Sequence, residues 1–449
     1  MKKLYAAIIF LFLVSSSTYA QETYYWNVTY GTRSTLLGGA VIGSVSDLSA
    51  TYYNPGAVAL FKDVQFILSA LVYQFENYTI QDGAAEGVDL DYSTIVPSPS
   101  FVAFDFNFDF LGKDKLAFSI LTRQTASFEF STRIIDSLDV IGSSPGKESF
   151  AGGVSYEKKF DDIWGGITYS KKLSNIVGVG LTGYIAYIPH RDGIETILQA
   201  LTSTGDIASY TDISNYRFNS LRTLFKFGLG VNLTPLTLGL TLTSPSLSIT
   251  GSGSVGTHTF LSGVDSTVFQ SNFQDDVKAE YKTPLSIGFG GAYRFGKVNL
   301  HLSAEWFSKI DSYTVLDSEP YISQGTGELL TNDLTHEAKS VVNFGLGLDY
   351  VINKKFIISA GFVTDFTAKV KNTETNLSRT SNWDVYHISA GASFPIAGSV
   401  TTLGVSYSFG SDRFQNDIDI TPDPNNPDDI TRENDINFSR IKVLFGFEL

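Results

Sequence analysis

Cysteine is absent from the 449 residues, so no disulfide framework, thiolate metal site or lipid-bearing cysteine can form. Histidine is scarce, at five residues, and none of the five shows the HxxxH spacing of a ligand pair. Basic runs are missing as well. Lys and Arg total 32 against 46 Asp and Glu, a net charge of −14, and no Lys/Arg cluster exists to follow a phosphate backbone, which argues against nucleic-acid partners. Beyond residue 20, no apolar stretch approaches the roughly 20 residues that a membrane helix needs. No GxSxG motif occurs, and His301 and Glu305, four residues apart on one strand face, stand roughly 13 Å from each other. That separation is too wide for a shared metal ion or a hydrogen-bonded dyad. Neither an enzyme nor a bound cofactor or metal is expected.

The first twenty residues are of another kind. Lys2 and Lys3 precede an apolar run from Leu4 to Val14, then Ser15-Ser16-Ser17-Thr18 and Tyr19-Ala20. A basic start, a short apolar core and a small residue at the cut are the parts of a secretory signal, here residues 1–20. An exported chain without disulfides has to bury surface or enter lipid to hold together.

Aromatics make up 14% of the chain, with 34 Phe and 23 Tyr, and Gly is frequent at 40. They fall in period-2 segments. Leu285, Ile287, Phe289, Tyr293 and Phe295 alternate with Ser286, Gly288, Gly290, Ala292 and Arg294. Phe225, Phe227, Leu229 and Val231 alternate with Lys226, Gly228, Gly230 and Asn232; Val342, Phe344, Leu346 and Leu348 with Asn343, Gly345, Gly347 and Asp349. Successive side chains of a strand point to opposite faces, so each segment has one greasy face and one small or polar face. A soluble sandwich buries the greasy face, whereas a membrane barrel turns it to lipid.

Connection lengths separate the two. Short turns at 111–114, 173–175, 234–235, 296–297, 353–354 and 396–398 alternate with polar stretches near 81–96, 132–147, 191–215, 255–276, 312–335, 373–382 and 412–433. Tight turns on one side and long loops on the other are the arrangement of an outer-membrane barrel, here of about 14 strands with both ends periplasmic. The count treats 150–172 as one long strand interrupted at Asp161-Asp162-Ile163. The final strand alternates through Ile441, Val443, Phe445, Phe447 and Leu449, the form of signal read by barrel-assembly machinery. The fold expected is all-β: a transmembrane antiparallel barrel over 63–449, in the outer membrane of a Gram-negative cell, monomeric and surrounded by outer-membrane lipid.

Residues 21–62 do not alternate. Their glycines and Asn54-Pro55-Gly56 predict short helices and turns, about the right mass to plug a lumen of this size. The stretch Leu37-Gly38-Gly39-Ala40, then Asp47 through Asn54-Pro55-Gly56-Ala57, resembles the N-terminal hatch of the FadL family of outer-membrane transporters. That family carries a Gly-Ala-rich stretch, an acidic residue and Asn-Pro-Ala; Gly56 stands here in the last position. Pro99–Ala103, the segment 239–251 and Thr283-Pro284 echo it further. The resemblance implies a 14-stranded barrel with an N-terminal hatch in the lumen, and passive uptake of long-chain fatty acids or other hydrophobic compounds. It also implies gating by the hatch, at Asn54, Pro55 and Gly56, or by a kink in one wall strand. The same barrel class resembles the shuttle component of the type IX secretion system. That reading ranks second, because the Asp-Ala-Arg-Ala-Gly-Gly stretch of that group is missing.

Several residues are candidates for handling a hydrophobic ligand. Arg123 and Arg133, on the third strand and its outer end, are placed to pair a carboxylate if they face the lumen. Tyr24, Tyr25 and Trp26 offer an apolar lining from the hatch. Ile134, Leu138 and Ile141, and Ile194, Ile197, Leu198 and Leu201, have helical spacing, and predict two short loop helices whose apolar faces form a surface groove. The acidic loop Asp417–Asp435 lacks the glycine-containing EF-hand pattern and reads as a solvated loop.

Overall fold

The computed structural model describes residues 23–61, 66–69, 72–98, 101–106, 108, 111–142, 144, 146–264, 267–353, 356–370, 383–396, 399–416, 420 and 432–448. The signal segment 1–20 and most of the loop Asp417–Asp435 lie outside the described residues.

Fourteen antiparallel strands close into one barrel. They are β1 (Phe66–Ser69 and Val72–Ala85), β2 (Val88–Ser98 and Phe101–Phe106), β3 (Lys115–Leu138), β4 (Glu148–Lys172), β5 (Val177–Leu201), β6 (Ile207–Leu233) and β7 (Leu236–Thr243 and Leu247–Ser262). The second half holds β8 (Val268–Ala279 and Ser286–Phe295), β9 (Val298–Phe307 and Ile310–Asp317), β10 (Leu334–Ala338 and Val341–Asn353), β11 (Phe356–Asp365), β12 (Val385–Ile396), β13 (Ser399–Asn416) and β14 (Arg432–Glu448). Each strand pairs with its sequence neighbours, and β14 returns to β1 through Tyr73↔Val443 and Ile67↔Glu448. Closure leaves no unpaired edge, which is what a sheet in lipid requires. β4 runs unbroken through 148–172, but its ladder to β5 lapses at Asp161-Asp162, opposite Ile188-Pro189.

The period-2 pattern now has a physical address. Outward residues such as Ile167 (57% exposed), Ile185 (52%), Phe289 (52%) and Leu346 (56%) form an apolar belt around the wall. Such a belt is stable against acyl chains and not against water, so the barrel spans a membrane. The inward positions are small or polar: Thr168, Thr182, Gly228, Thr241, Gly288, Ser303, Gly345 and Ser359.

Two expectations for the connections change. The stretches 81–96, 191–215 and 255–276 are mostly ladder, with turns confined near Glu86-Gly87, 202–206 and 263–267. Their polarity reflects strands that continue past the apolar belt, where neither face meets lipid. The two loop helices do not form. Ile134 and Leu138 lie in β3, and Ile194, Ile197, Leu198 and Leu201 in β5, all hydrogen-bonded to neighbours. A spacing of four is shared by a helix face and a strand face, and alternation decides it here. Ile134, Leu138, Ile194 and Leu198 turn inward and pack in the upper barrel, in part against Ile141 and Phe150, while Ile197 and Leu201 are exposed on the opposite face. No groove unites them.

The N-terminal segment 23–61 carries α1 (Thr32–Leu36), α2 (Ala50–Tyr53) and a 3-10 turn, Pro55–Ala59. It touches the wall on every side. Thr51 O accepts from Thr182 and Tyr184 of β5, and Asn54 donates to Leu229 O of β6. Ile42 N donates to Ser303 of β9, Arg33 pairs with Asp349 of β10, Leu36 O accepts from Ser389 of β12, and Asn27 O from Lys442 of β14. Contacts around the whole ring place the segment inside it.

Candidate functional site

The lower lumen is filled by backbone packed on backbone. Asn54 is fully buried: its Oδ1 accepts from Gly56 N at 3.1 Å, and its Nδ2 donates to Ile42 O at 2.9 Å and Leu229 O at 3.0 Å. Pro55 opens the 3-10 turn at a position that needs no N–H. A Cβ on Gly56 would meet the carbonyl oxygens of Gly228 at 2.5 Å and Gly178 at 2.7 Å. Glycine in place of the alanine of Asn-Pro-Ala is therefore a steric requirement of this wall. Inward glycines at 178, 180, 228, 239, 290, 361 and 391 likewise lie where the N-terminal segment comes closest.

Charged groups clasp the same segment. Arg33 pairs with Asp349, which is also held by His301 Nε2 at 3.1 Å, Ser359 Oγ at 2.7 Å and Asn299 Nδ2 at 3.4 Å; Ser44 Oγ meets His301 Nδ1 at 2.7 Å. Asp365 Oδ1 accepts from Tyr25 N and Trp26 N, and Trp26 Nε1 donates to Glu305 at 2.9 Å. His301 and Glu305 thus both face the lumen, each engaged with a different part of the segment. Within the segment, burial pushes the Asp47 carboxyl above the usual carboxylate range, against the hydrogen bonds from the Ser49 N–H and O–H.

Above this filling lie two small cavities, each about 30 Å3, room for water-sized occupants and not for an acyl chain. One is walled by Tyr24, Tyr78, Phe128, Trp383 and Phe438 around Lys158 and Arg440. The other is walled by Tyr25, Tyr52, Trp164 and Phe307 around Arg123, Lys226, Asp162 and Glu305. The Tyr24-Tyr25-Trp26 cluster is therefore split: Tyr24 borders one cavity, Tyr25 the other, and Trp26 is tied to Glu305.

Arg123 lies on the inward parity of Leu121, at a β-bulge that turns Gln124 inward as well. The β3–β4 register steps from Thr122↔Ile163 to Gln124↔Asp162, leaving Arg123 as the extra residue, and both Arg123 and Gln124 are buried. Its neighbours are largely neutralised elsewhere: Asp162 pairs with Arg222 at 2.5 Å, and Glu305 lies 3.9 Å from Lys226. The guanidinium lies over Tyr52 and Trp164, at 5.7 and 5.9 Å, and its Nη1 is buried with no hydrogen-bond partner among the described residues. Lys158 Nζ is likewise buried and unpartnered there. Arg133, by contrast, is exposed on the face away from the lumen.

Beside the second cavity the wall itself is incomplete. β7 pairs with β8 below Thr243↔Ser286 and above Ser252↔Lys278, and no ladder joins 244–251 to 279–285. Pro245 and Pro284 lie in that stretch and carry no N–H; Ser246 Oγ, accepting from Thr283 N at 3.0 Å, bridges it. Sequence reasoning missed Lys158, Trp383, the bulge and this gap. The prolines were its one available signal, since a proline argues against a central paired strand.

No family model matches the chain, and no curated relative does. Among solved structures, the toluene transporter TodX of Pseudomonas putida aligns over 97% of this chain and 99% of its own, at 14% identity and a TM-score of 0.58. A FadL homologue from Pseudomonas aeruginosa aligns over 95% and 99%, at 12% identity and a TM-score of 0.60. The monoaromatic hydrocarbon channel CymD aligns over 94% and 98%, at 11% and 0.51. The chain shares their fold.

Proposed function

We propose that this barrel resides in an outer membrane and admits hydrophobic compounds passively, with the segment 23–61 acting as the hatch that keeps the lumen closed between passages. The fold shared with hydrocarbon channels and a FadL homologue supports the class of cargo. The observation that carries the reading further is Arg123: a buried cation with an open donor, set among aromatic rings. A desolvated guanidinium with spare N–H groups favours a carboxylate, and the rings favour an apolar body. Long-chain fatty acids combine the two.

In the closed state neither cavity holds such a ligand, so entry requires Tyr24 and Tyr25 to shift and join the two spaces. The β7–β8 gap lies directly beside the Arg123 cavity and offers a sideways exit to the bilayer. Barrel-assembly machinery inserting the chain through its last strand, and a monomeric state, belong to the same proposal. Liposomes containing the protein should take up a labelled long-chain fatty acid faster than empty ones. Equal rates would remove fatty acids as the cargo. Faster uptake of toluene alone would move the assignment to uncharged hydrocarbons.

A further inference from the structure

On the outer face, three cations stand side by side. The register sets Lys159 of β4 opposite Arg191 of β5, and Arg191 opposite Arg217 of β6. All three are exposed, and they share the outward face with Ile185, Tyr187 and Phe225. Residues directly opposite on neighbouring antiparallel strands have Cβ atoms about 5 Å apart, and like charges there are destabilising unless something neutralises them. None of the three has an ion-pair partner among the described residues. Asp161 and Glu157 flank Lys159 along β4 and lie diagonally across from Arg191, whereas the outward neighbours of Arg217 are Pro189, Gly193, Asn215, Asn219 and Ser254. Three cations against two flanking acids leave the row net positive, and Arg217 has no acid beside it.

Height along the wall says what faces them. The outward residues of β5 run from Val177, next to the short turn, through Leu181 and Ile185 to Tyr187. Ten residues of a strand tilted by about 40° rise about 25 Å, the height of the apolar band of such barrels. Tyr187 thus stands at the upper interface, where aromatic girdles form. Arg191, four residues on, lies about 10 Å higher by the same geometry, at the level of lipid headgroups.

We infer that Lys159, Arg191 and Arg217 form a docking site for the phosphate groups of an outer-leaflet lipid headgroup. Planar guanidinium groups suit a phosphomonoester, which accepts two parallel N–H bonds from each. A row three strands wide suits a headgroup bearing more than one phosphate. The inference rests on the outer-membrane residence given under the proposed function, with the short turns facing the periplasm, but not on what passes through the lumen.

The test uses the full-length barrel in detergent, titrated with bis-phosphorylated lipid A or its fully dephosphorylated form and read by native mass spectrometry. The wild type should prefer the phosphorylated lipid. Combined Lys159→Gln, Arg191→Gln and Arg217→Gln should weaken that binding about tenfold or more, leave binding of the dephosphorylated lipid unchanged, and keep the folded-barrel mobility on unheated gels. Millimolar inorganic phosphate should not displace the lipid. Equal binding by the variant, no preference between the two lipids, or displacement by inorganic phosphate would overturn the assignment. Fatty-acid uptake, measured separately on the same variant, should match the wild type, so failure of the cargo reading would leave this result standing.

Discussion

Gly56→Ala is the sharpest perturbation that the lumen offers. A single methyl group would be placed 2.5 Å from Gly228 O and 2.7 Å from Gly178 O. Both are carbonyls in the β5–β6 ladder, hydrogen-bonded at Gly178↔Gly230 and Gly180↔Gly228, so the wall cannot yield without breaking its own pairing. The 3-10 turn must lift instead, by close to 1 Å, to regain ordinary contact. Lifting stretches the bonds from Asn54 Nδ2 to Leu229 O and from Ala59 N to Ser170 Oγ, now 3.0 and 3.1 Å. Overpacking of this kind costs about 1–3 kcal/mol, and each weakened hydrogen bond about 1 kcal/mol. A net 3 kcal/mol raises the undocked population roughly a hundredfold.

Hydrogen exchange reads that population directly, because amides protected only by docking exchange in proportion to it. Amides of 50–60 should exchange roughly a hundredfold faster in Gly56→Ala, with the barrel strands unaffected. Gly178→Ala, whose Cβ would sit 2.3 Å from Gly56 O, should act the same way from the opposite side. Gly165→Ala is the control, since nothing lies within 4 Å of its Cβ. If Gly56→Ala exchanged like the wild type, the close approach on which the whole account of the lumen rests would be wrong.

Other residues give separate tests. Arg33→Met leaves the buried Asp349 with only its wall partners, and should loosen the docked segment by about 3 kcal/mol, seen as faster exchange of 30–40. Arg123→Gln should weaken binding of a fatty acid about tenfold by fluorescence titration while leaving an uncharged hydrocarbon unchanged; equal loss for both would make the residue structural. The raised pKa of Asp47 means that its burial favours docking below the ordinary carboxylate range and loses that contribution as pH rises through the higher, folded value. Asp47→Asn should therefore dock at least as firmly as the wild type at pH 7 and lose the pH dependence, whereas Asp47→Ala should weaken docking by exposing the Ser49 donors. A disulfide between Ser246→Cys and Thr283→Cys, simple to interpret in a cysteine-free chain, should slow fatty-acid uptake in oxidising buffer and release it on reduction; unchanged uptake would close the β7–β8 route.

The barrel was legible because alternation is a local property. Phe225, Phe227 and Leu229 announce a lipid-facing surface whatever they pair with, and the short turns fix the strand order. The same locality hid the rest. Ile134, Leu138, Ile194 and Leu198 satisfy a helical spacing and a strand spacing equally, and only the ladders on both sides distinguish them. Arg123 follows Leu121 on the inward parity, yet Gln124 is inward too, because a bulge inserts one residue and resets the phase. A bulge has no side-chain signature. The alternating glycines of β5 and β6 were read as a small lumenal face, which is correct, but glycine there records the approach of another backbone. That partner is more than a hundred residues away in sequence.

The packing of the lumen also constrains the gating proposed above. Asp349, Asp365 and Glu305 each spend part of their hydrogen-bonding capacity on the segment 23–61, through Arg33, the Tyr25 and Trp26 amides, and the Trp26 indole. Expelling the whole segment would strand all three carboxylates at once, together with the donors now facing Thr51 O and Leu36 O. A smaller motion avoids most of that cost. Both cavities are bounded by 24–25, at the start of the segment, whereas the glycine-seated contacts cluster at 36–43 and 54–57. Releasing Asp365 and Glu305, and unstacking Tyr25 from Phe307, would free Tyr25 and Trp26 while the Asn54-Pro55-Gly56 anchor stays on β5 and β6. On the proposed gating, the anchor would serve as the fixed end of the segment and the aromatic start as its moving end, so Gly56→Ala should disturb docking far more than it disturbs fatty-acid binding at Arg123.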